Sequence, residues 1–168
     1  MGVKFGLPPI ADRSTRIFIL GSLPGERSLR ERKYYAFPTN QFWRLVGSVI
    51  GEPLPELDYQ ERLVLLREHR IGLWDVISAA RREGSGDQAI RGARHNNIGG
   101  LRLDYPALRA IAFNGGRAAK DGFRLMAATE GLDLLALPSS SAAYARMPFA
   151  DKLLAWSRLA QYCGPAQR

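Results

Sequence analysis

Residues 21–43 read GSLPGERSLRERKYYAFPTNQFW and put a glycine-proline turn, cations, aromatic rings and an amide into one segment. Gly21 and Gly25 let a ligand approach the main chain closely, and Pro24 stiffens the turn between them. Arginine forks suit phosphate, flat rings suit a planar partner, and the Asn40 amide both accepts and donates hydrogen bonds. Several familiar chemistries are excluded. GSLPGERS lacks the second glycine followed by Lys and Ser or Thr of a phosphate-binding P-loop, and no G-x-G-x-x-G follows a strand. No G-x-S-x-G nucleophile turn exists. His69 and His95 are the only histidines and stand in no metal spacing. Cys163 is the only cysteine, so an internal disulfide, a zinc knuckle and an iron–sulfur cluster are excluded. No metal and no cofactor are expected. Cys163 reads as a passive residue, His69 as a solvated one at a helix end, and His95 as part of a polar loop.

The balance of 24 Lys and Arg against 16 Asp and Glu gives a net charge of +8. That favours a polyanionic partner, although a GC-rich genome also writes arginine freely. A chain of 168 residues with 46% hydrophobic content fits one globular domain over residues 1–168. No apolar run approaches the roughly 18 residues of a membrane span. The start MGVKFGLPPI lacks the apolar core of a secretory signal. A cytoplasmic monomer is expected, associated with the nucleoid if the source is prokaryotic.

The positioning elements are legible as alternating runs. RIFIL (16–20), LWDVI (73–77), AIAFN (110–114) and LDLLAL (132–137) are short, apolar and bounded by turn residues, as buried strands are. NQFWRLVGSVIG and YQERLVLLREHRIG have helical spacing and each ends at a glycine. GRAAKDGFRLMAATEG is a third helix, weakened by Gly122, and FADKLLAWSRLAQYCG a fourth. The alternation predicts an α/β fold with a central, mainly parallel four-stranded sheet flanked by helices. Ligands of such sheets sit beyond the carboxyl ends of the strands. That rule selects GSLPG, DVISAARREGSGD, NGGRAA and PSSSAAYARM, and brings all four to one cleft.

GSLPG followed by YYAFPTNQFW resembles the first motif of the uracil-DNA glycosylase superfamily, in the pattern of its mismatch-specific uracil and hypoxanthine-DNA glycosylase branches. LPSSSAAYA resembles the second motif, a Pro-Ser loop that enters the minor groove. IGLWDV and AFNG match the intervening strand ends, so the resemblance runs from about Arg16 to Tyr162. It implies a monofunctional DNA glycosylase that flips a deaminated base, hypoxanthine or uracil, out of DNA and leaves an abasic site. Flipping needs cations for phosphate, a plate for the base and a wedge for the gap.

Related enzymes place an Asp or Asn where this chain has Leu23, which cannot hold water. The resemblance hands the attacking water to Asn40, with Ser22 a lesser candidate. Asn40 equally suits the N-cap of the helix that follows. Gly21, Leu23, Tyr35, Asp75 and Asn114 are the base-binding candidates. Tyr35 stacks on the base or packs in the core. Asn114 reads the base edge or makes an Asn-Gly turn. Asp75 accepts from the base, caps a helix or pairs with arginine. Arg27, Arg81, Arg82, Arg91, Arg94, Asn96, Asn97, Ser139, Ser140, Ser141 and Arg146 are candidate DNA contacts, with a solvated face the alternative for each charge. Tyr144 and Met147 are wedge candidates that could instead pack under the last helix. Lys33 and Lys120 lie outside the positions expected to touch the sugar, so no lyase step is expected. Two other classes stay open: a noncatalytic DNA-binding protein, marked by Leu23, and a small nucleotide hydrolase.

Overall fold

The computed structural model describes residues 2–164. Strands β1 (Val3–Phe5) and β2 (Ile17–Gly21) come first, then α1 (Glu26–Glu31), α2 (Phe42–Ile50) and α3 (Tyr59–Glu68). Next come β3 (Ile71–Asp75), β4 (Ile77–Arg81), β5 (Arg91–His95) and the short α4 (Leu101–Asp104). The chain closes with β6 (Ala110–Asn114), α5 (Gly116–Leu125), β7 (Asp133–Leu137) and α6 (Phe149–Trp156). The expected α/β architecture is present: β3-β2-β6-β7 form a four-stranded sheet in which every pairing is parallel.

Each central strand is apolar because both its faces are covered. Ile17, Ile19, Ala110, Ala112, Leu135 and Leu137 pack on one side with Phe42, Leu45, Leu66 and Trp156 of α2, α3 and α6. Phe18, Leu20, Ile111 and Phe113 pack on the other side with Leu101 and Ala118 of α4 and α5.

A second sheet, β1-β4-β5, is antiparallel and was not expected. The run LWDVI straddles two strands: β3 ends at Asp75, and β4 begins at Ile77 to pair with β1 and β5. The apolar pattern hides the break because Val76 and Ile77 are as buried as Leu73. RGARH, read as polar loop, is β5, so His95 lies in a strand; its ring sits 3.1 Å from Asp121 Oδ2. Helix α3 stops at His69, with Arg70 left-handed at φ 66°, rather than at Gly72. His69 is buried, not solvated, with its Nε2 3.2 Å from Glu52 Oε1. The last helix ends at Trp156 and continues as a 3-10 turn over Ser157–Gln161.

Gly122 is a packing device. A Cβ there would lie 2.1 Å from Cε1 of the buried Phe113 ring, so α5 rests directly on β6. Gly122→Ala gains about 1 kcal/mol of helix propensity but forces an overpacking strain of about 1–3 kcal/mol. A lowered melting temperature is expected. A higher one would show that the ring yields without strain.

Candidate active site

The carboxyl ends of β2, β3 and β6 and the segment after β7 open on one cleft of about 380 Å³. Its walls are residues 21–25, parts of 34–40, Asp75, residues 85–87, Asn114 and residues 139–143. All four segments selected from the sequence reach it.

A chain of hydrogen bonds joins three of these walls. Ser140 N donates to Asn114 Oδ1 (2.9 Å), and Asn114 Nδ2 donates back to Ser140 Oγ (2.9 Å). Ser140 Oγ in turn donates to Asn40 Oδ1 (2.8 Å), which also accepts from Phe42 N (2.9 Å) at the start of α2. Gln41 N donates to Ser140 O (2.9 Å). A backbone N–H can only donate, so Phe42 fixes the Asn40 amide with its oxygen inward. Both lone pairs of that oxygen are engaged, and Nδ2 is the group left over. Asn114 also donates to the Tyr35 hydroxyl (3.1 Å), so both its amide hydrogens are committed within the protein. Gly115 follows at φ 97°, which realises the Asn-Gly turn as well.

Tyr35 is held in an uncommon conformation. Its φ is 54°, a left-handed value that a bulky residue keeps only when its surroundings enforce it. Three contacts do so. Its ring stacks on Phe42 at 3.8 Å and 8°, its carbonyl accepts from Trp43 Nε1 (3.1 Å), and its hydroxyl accepts from Asn114. The hydroxyl hydrogen remains available. Burial and the nearby Asp75 push its pKa upward, so it stays a donor. Tyr34 points elsewhere and donates to Pro8 O (2.8 Å).

The Gly-Pro turn is fastened from below. Leu23 packs with Ile77, Ala80 and Ile90, so its apolar side chain anchors the turn to the second sheet. Arg82 was expected among the phosphate contacts, but it is 0% exposed. Its Nη1 donates to Leu23 O (3.1 Å), its Nη2 to Pro24 O and its Nε to Gly84 O (3.0 Å). Ser22 Oγ donates to Asp87 Oδ1 (2.6 Å). Asp75 is buried beside Gly21, and burial with the neighbouring Asp87 pushes its carboxyl up to about 8, against the pull of Arg82. Among the described residues, no group of three or more His, Cys, Asp or Glu could hold a metal ion.

The chain matches the uracil DNA glycosylase superfamily over residues 8–160. The chain belongs to this superfamily. Among its relatives, the hypoxanthine DNA glycosylase of Methanosarcina acetivorans is 44% identical over 144 residues, covering 86% of this chain and 90% of that protein. The hypoxanthine DNA glycosylase of Methanosarcina barkeri is 46% identical over 117 residues, covering 70% of this chain and 74% of that protein. A solution NMR structure of a Methanosarcina acetivorans protein, described as a candidate uracil DNA glycosylase, is also similar. Its TM-score is 0.85 at 41% identity, covering 95% of this chain and 98% of that one.

In this superfamily member the outer candidates are scattered around the cleft. Arg27 lines it and pairs with Glu31 at 2.9 Å. Ser139 and Ser141 line it beside Ser140. Arg81, Arg91 and Arg94 are exposed on the second sheet, outside the lining, and Arg91 donates to Gln88 O and Ile90 O. Residues 142–146 are all exposed, which leaves Tyr144 (38%) and Arg146 projecting, whereas Met147 is half-buried. Asn96 donates to Asp75 O, and Asn97 caps a 3-10 turn through Gly100 N. Cys163 is half-buried, and burial pushes its thiol up to about 11.

Three features escaped the sequence reading. Phe37, 57% exposed, stands on the cleft rim within the first motif. Asp87 closes the GSGD turn on Ser22; an acid ending a Gly-Ser run was the one available signal. Lys152 is buried under the serine loop and donates to Ser141 O (3.1 Å) and Gln41 Oε1 (3.0 Å). Nothing in FADKLLAW distinguishes it from a solvated lysine.

Proposed function

We propose that this protein is a monofunctional DNA glycosylase that flips a deaminated base from duplex DNA and hydrolyses its N-glycosidic bond, hypoxanthine ahead of uracil. The observation that carries this reading is the cleft itself, whose walls are locked by the Asn40–Ser140–Asn114–Tyr35 chain of neutral hydrogen bonds. Such preorganised dipoles stabilise charge that develops on a departing base without reorganising. The two relatives named for hypoxanthine support the order of substrates.

The C1′–N bond breaks with its electron pair going to the base, and the sugar takes on oxocarbenium character that the neighbouring phosphates stabilise. Asn40 places the attacking water: its Nδ2 donates to one lone pair and leaves the other free to attack the sugar carbon. The water then loses a proton to solvent. Tyr35 meets the base beside the Gly21–Gly25 turn, with Ser22, Leu23 and Asn114 shaping the pocket around it. Tyr144 fills the gap left by the flipped base. Arg27, Arg81, Arg91, Arg94, Arg146, Ser139 and Ser141 contact phosphates. The enzyme works as a monomer in the cytoplasm, with residues 1–168 as one glycosylase domain and without a cofactor.

End-labelled duplexes carrying hypoxanthine, xanthine or uracil, incubated with purified protein, test this. Strand breaks should appear only after hot alkali, fastest for hypoxanthine, and should persist with chelator present. Binding without alkali-labile sites would leave a noncatalytic DNA-binding protein, and breaks without alkali would reveal a lyase.

A further inference from the structure

Among the described residues, one buried side-chain nitrogen or oxygen lacks a hydrogen-bond partner: Asp75 Oδ2. The residue is 4% exposed, yet it lines the cleft at the end of β3. Its other oxygen, Oδ1, lies against Gly21, where a Cβ would come within 2.7 Å. A buried carboxyl without a partner is costly, and one kept in a ligand cleft points to a partner that arrives with the ligand. The neighbouring amides cannot take its place, because both hydrogens of Asn114 and the oxygen of Asn40 are engaged within the protein.

We infer that Asp75 is held as a neutral carboxylic acid and donates its O–H to a carbonyl oxygen or ring nitrogen of the flipped base, a hydrogen bond that strengthens as the base becomes negative. This deepens the glycosylase reading of the same site and rests on it. The surroundings keep the proton in place. Asp87, facing Asp75 from the 85–87 wall, opposes a second negative charge. Arg82 attracts it but makes no hydrogen bond to it, each of its three nitrogens donating instead to a carbonyl, of Leu23, Pro24 or Gly84. Tyr35 faces it as a hydroxyl that burial keeps neutral, and Tyr34 turns its hydroxyl away to Pro8 O. Asn96 binds only its main-chain carbonyl. A carboxylate would repel a departing anion, whereas an O–H donor stabilises it. The proton stays on Asp75 throughout; the base leaves with the electron pair of the broken bond and is protonated by solvent. Hypoxanthine and uracil offer a carbonyl to this donor. Where the acceptor is that carbonyl, adenine and cytosine present an amino group in its place and leave the donor unpaired.

Single-turnover excision of hypoxanthine, followed from about pH 6 to about pH 9.5, decides the matter for wild type, Asp75→Asn and Asp75→Leu. Wild type should hold its rate up to about pH 8, then lose about tenfold per pH unit. Asp75→Asn keeps an N–H donor that does not titrate, so it should stay within about tenfold of wild type at neutral pH and lack the additional alkaline fall. Asp75→Leu should lose about 10²-fold. A common pH profile for wild type and Asp75→Asn, or Asp75→Leu as active as Asp75→Asn, overturns the proposal and leaves the glycosylase standing. Because the substrate base ionises alike in both experiments, the difference between them reports Asp75 alone. If no protein excises at any pH, the glycosylase reading fails, and binding to a duplex with non-hydrolysable 2′-fluoro-deoxyinosine takes over as the readout. Wild-type affinity should then fall above about pH 8 while that of Asp75→Asn falls less; parallel curves overturn the inference. Should Asp75→Asn not fold, carbon NMR of the wild-type Asp75 carboxyl replaces it. A protonated carboxyl at neutral pH supports the proposal, and an ionised one sinks it.

Discussion

Asn40→Ala lowers base excision by at least about 10²-fold, the scale of losing one preorganised group at a reacting centre, while affinity for DNA is retained. Alanine removes the Nδ2 donor proposed to hold the water. It also removes Oδ1, so Phe42 N–H and Ser140 Oγ lose their acceptor. Asn40 is not the N-cap of α2, a position held by Gln41; the two neutral hydrogen bonds lost are worth about 1 kcal/mol each, too little to unfold a domain of this size. A folded variant with a modestly lowered melting temperature and a collapsed single-turnover rate is therefore expected. Wild-type excision by a folded Asn40→Ala protein would limit Asn40 to holding Phe42 N–H and Ser140 in place.

Arg82→Met should destabilise the protein by about 3 kcal/mol or more, since hydrogen bonds to a charged group are worth about 1.5–3 kcal/mol each and buried carbonyls are left unpaired. The guanidinium reaches three diverging carbonyls, of Leu23, Pro24 and Gly84, from one planar fork. A lysine ammonium is a point donor on a flexible stem, so Arg82→Lys should recover less than half of the loss. Excision should fall with both changes, because the Gly21–Gly25 turn loses its fastening. Nonspecific DNA affinity and its salt dependence should not move, since the side chain has no exposed surface. Urea melts and salt titrations of binding separate the two readings. A stable Arg82→Met protein with a shallower salt slope would return Arg82 to the phosphates.

Arg82 also marks the limit of what the sequence discloses. It stands in AARREGSGD, where Arg81 and Arg82 are indistinguishable by composition. One is exposed and the other fully buried, because β4 ends at Arg81 on the surface and the chain then turns Arg82 under the Gly-Pro loop. The four strands of the parallel sheet were legible because burial on both faces leaves nearly continuous apolar runs. The second sheet was not, since RGARH carries no apolar alternation and its burial is slight. The strand-end rule brought the right loops to one cleft. It could not show which amides would face inward, because Asn40 and Ser140 meet across 100 positions of chain and no local pattern records such a pairing. Leu23 read as a missing water ligand. In the fold it is an anchor of the small core beneath the turn, a role set by Ile77, Ala80 and Ile90 from elements that the pattern did not reveal.

The shared bonds of Asn40, Ser140 and Asn114 bear on how this site can evolve. Each of the three is a partner in bonds that another also makes, so changing one already removes much of what changing two would remove. Paths that alter these three residues stepwise pass through intermediates with nearly the full defect, and selection meets them as one unit. Innovation in base choice is therefore channelled to cleft positions outside this hydrogen-bonded set. The Phe37 and Thr39 side chains on the rim are exposed and make no hydrogen bond within the described residues, and drift there can broaden the range of bases accepted without dismantling the scaffold.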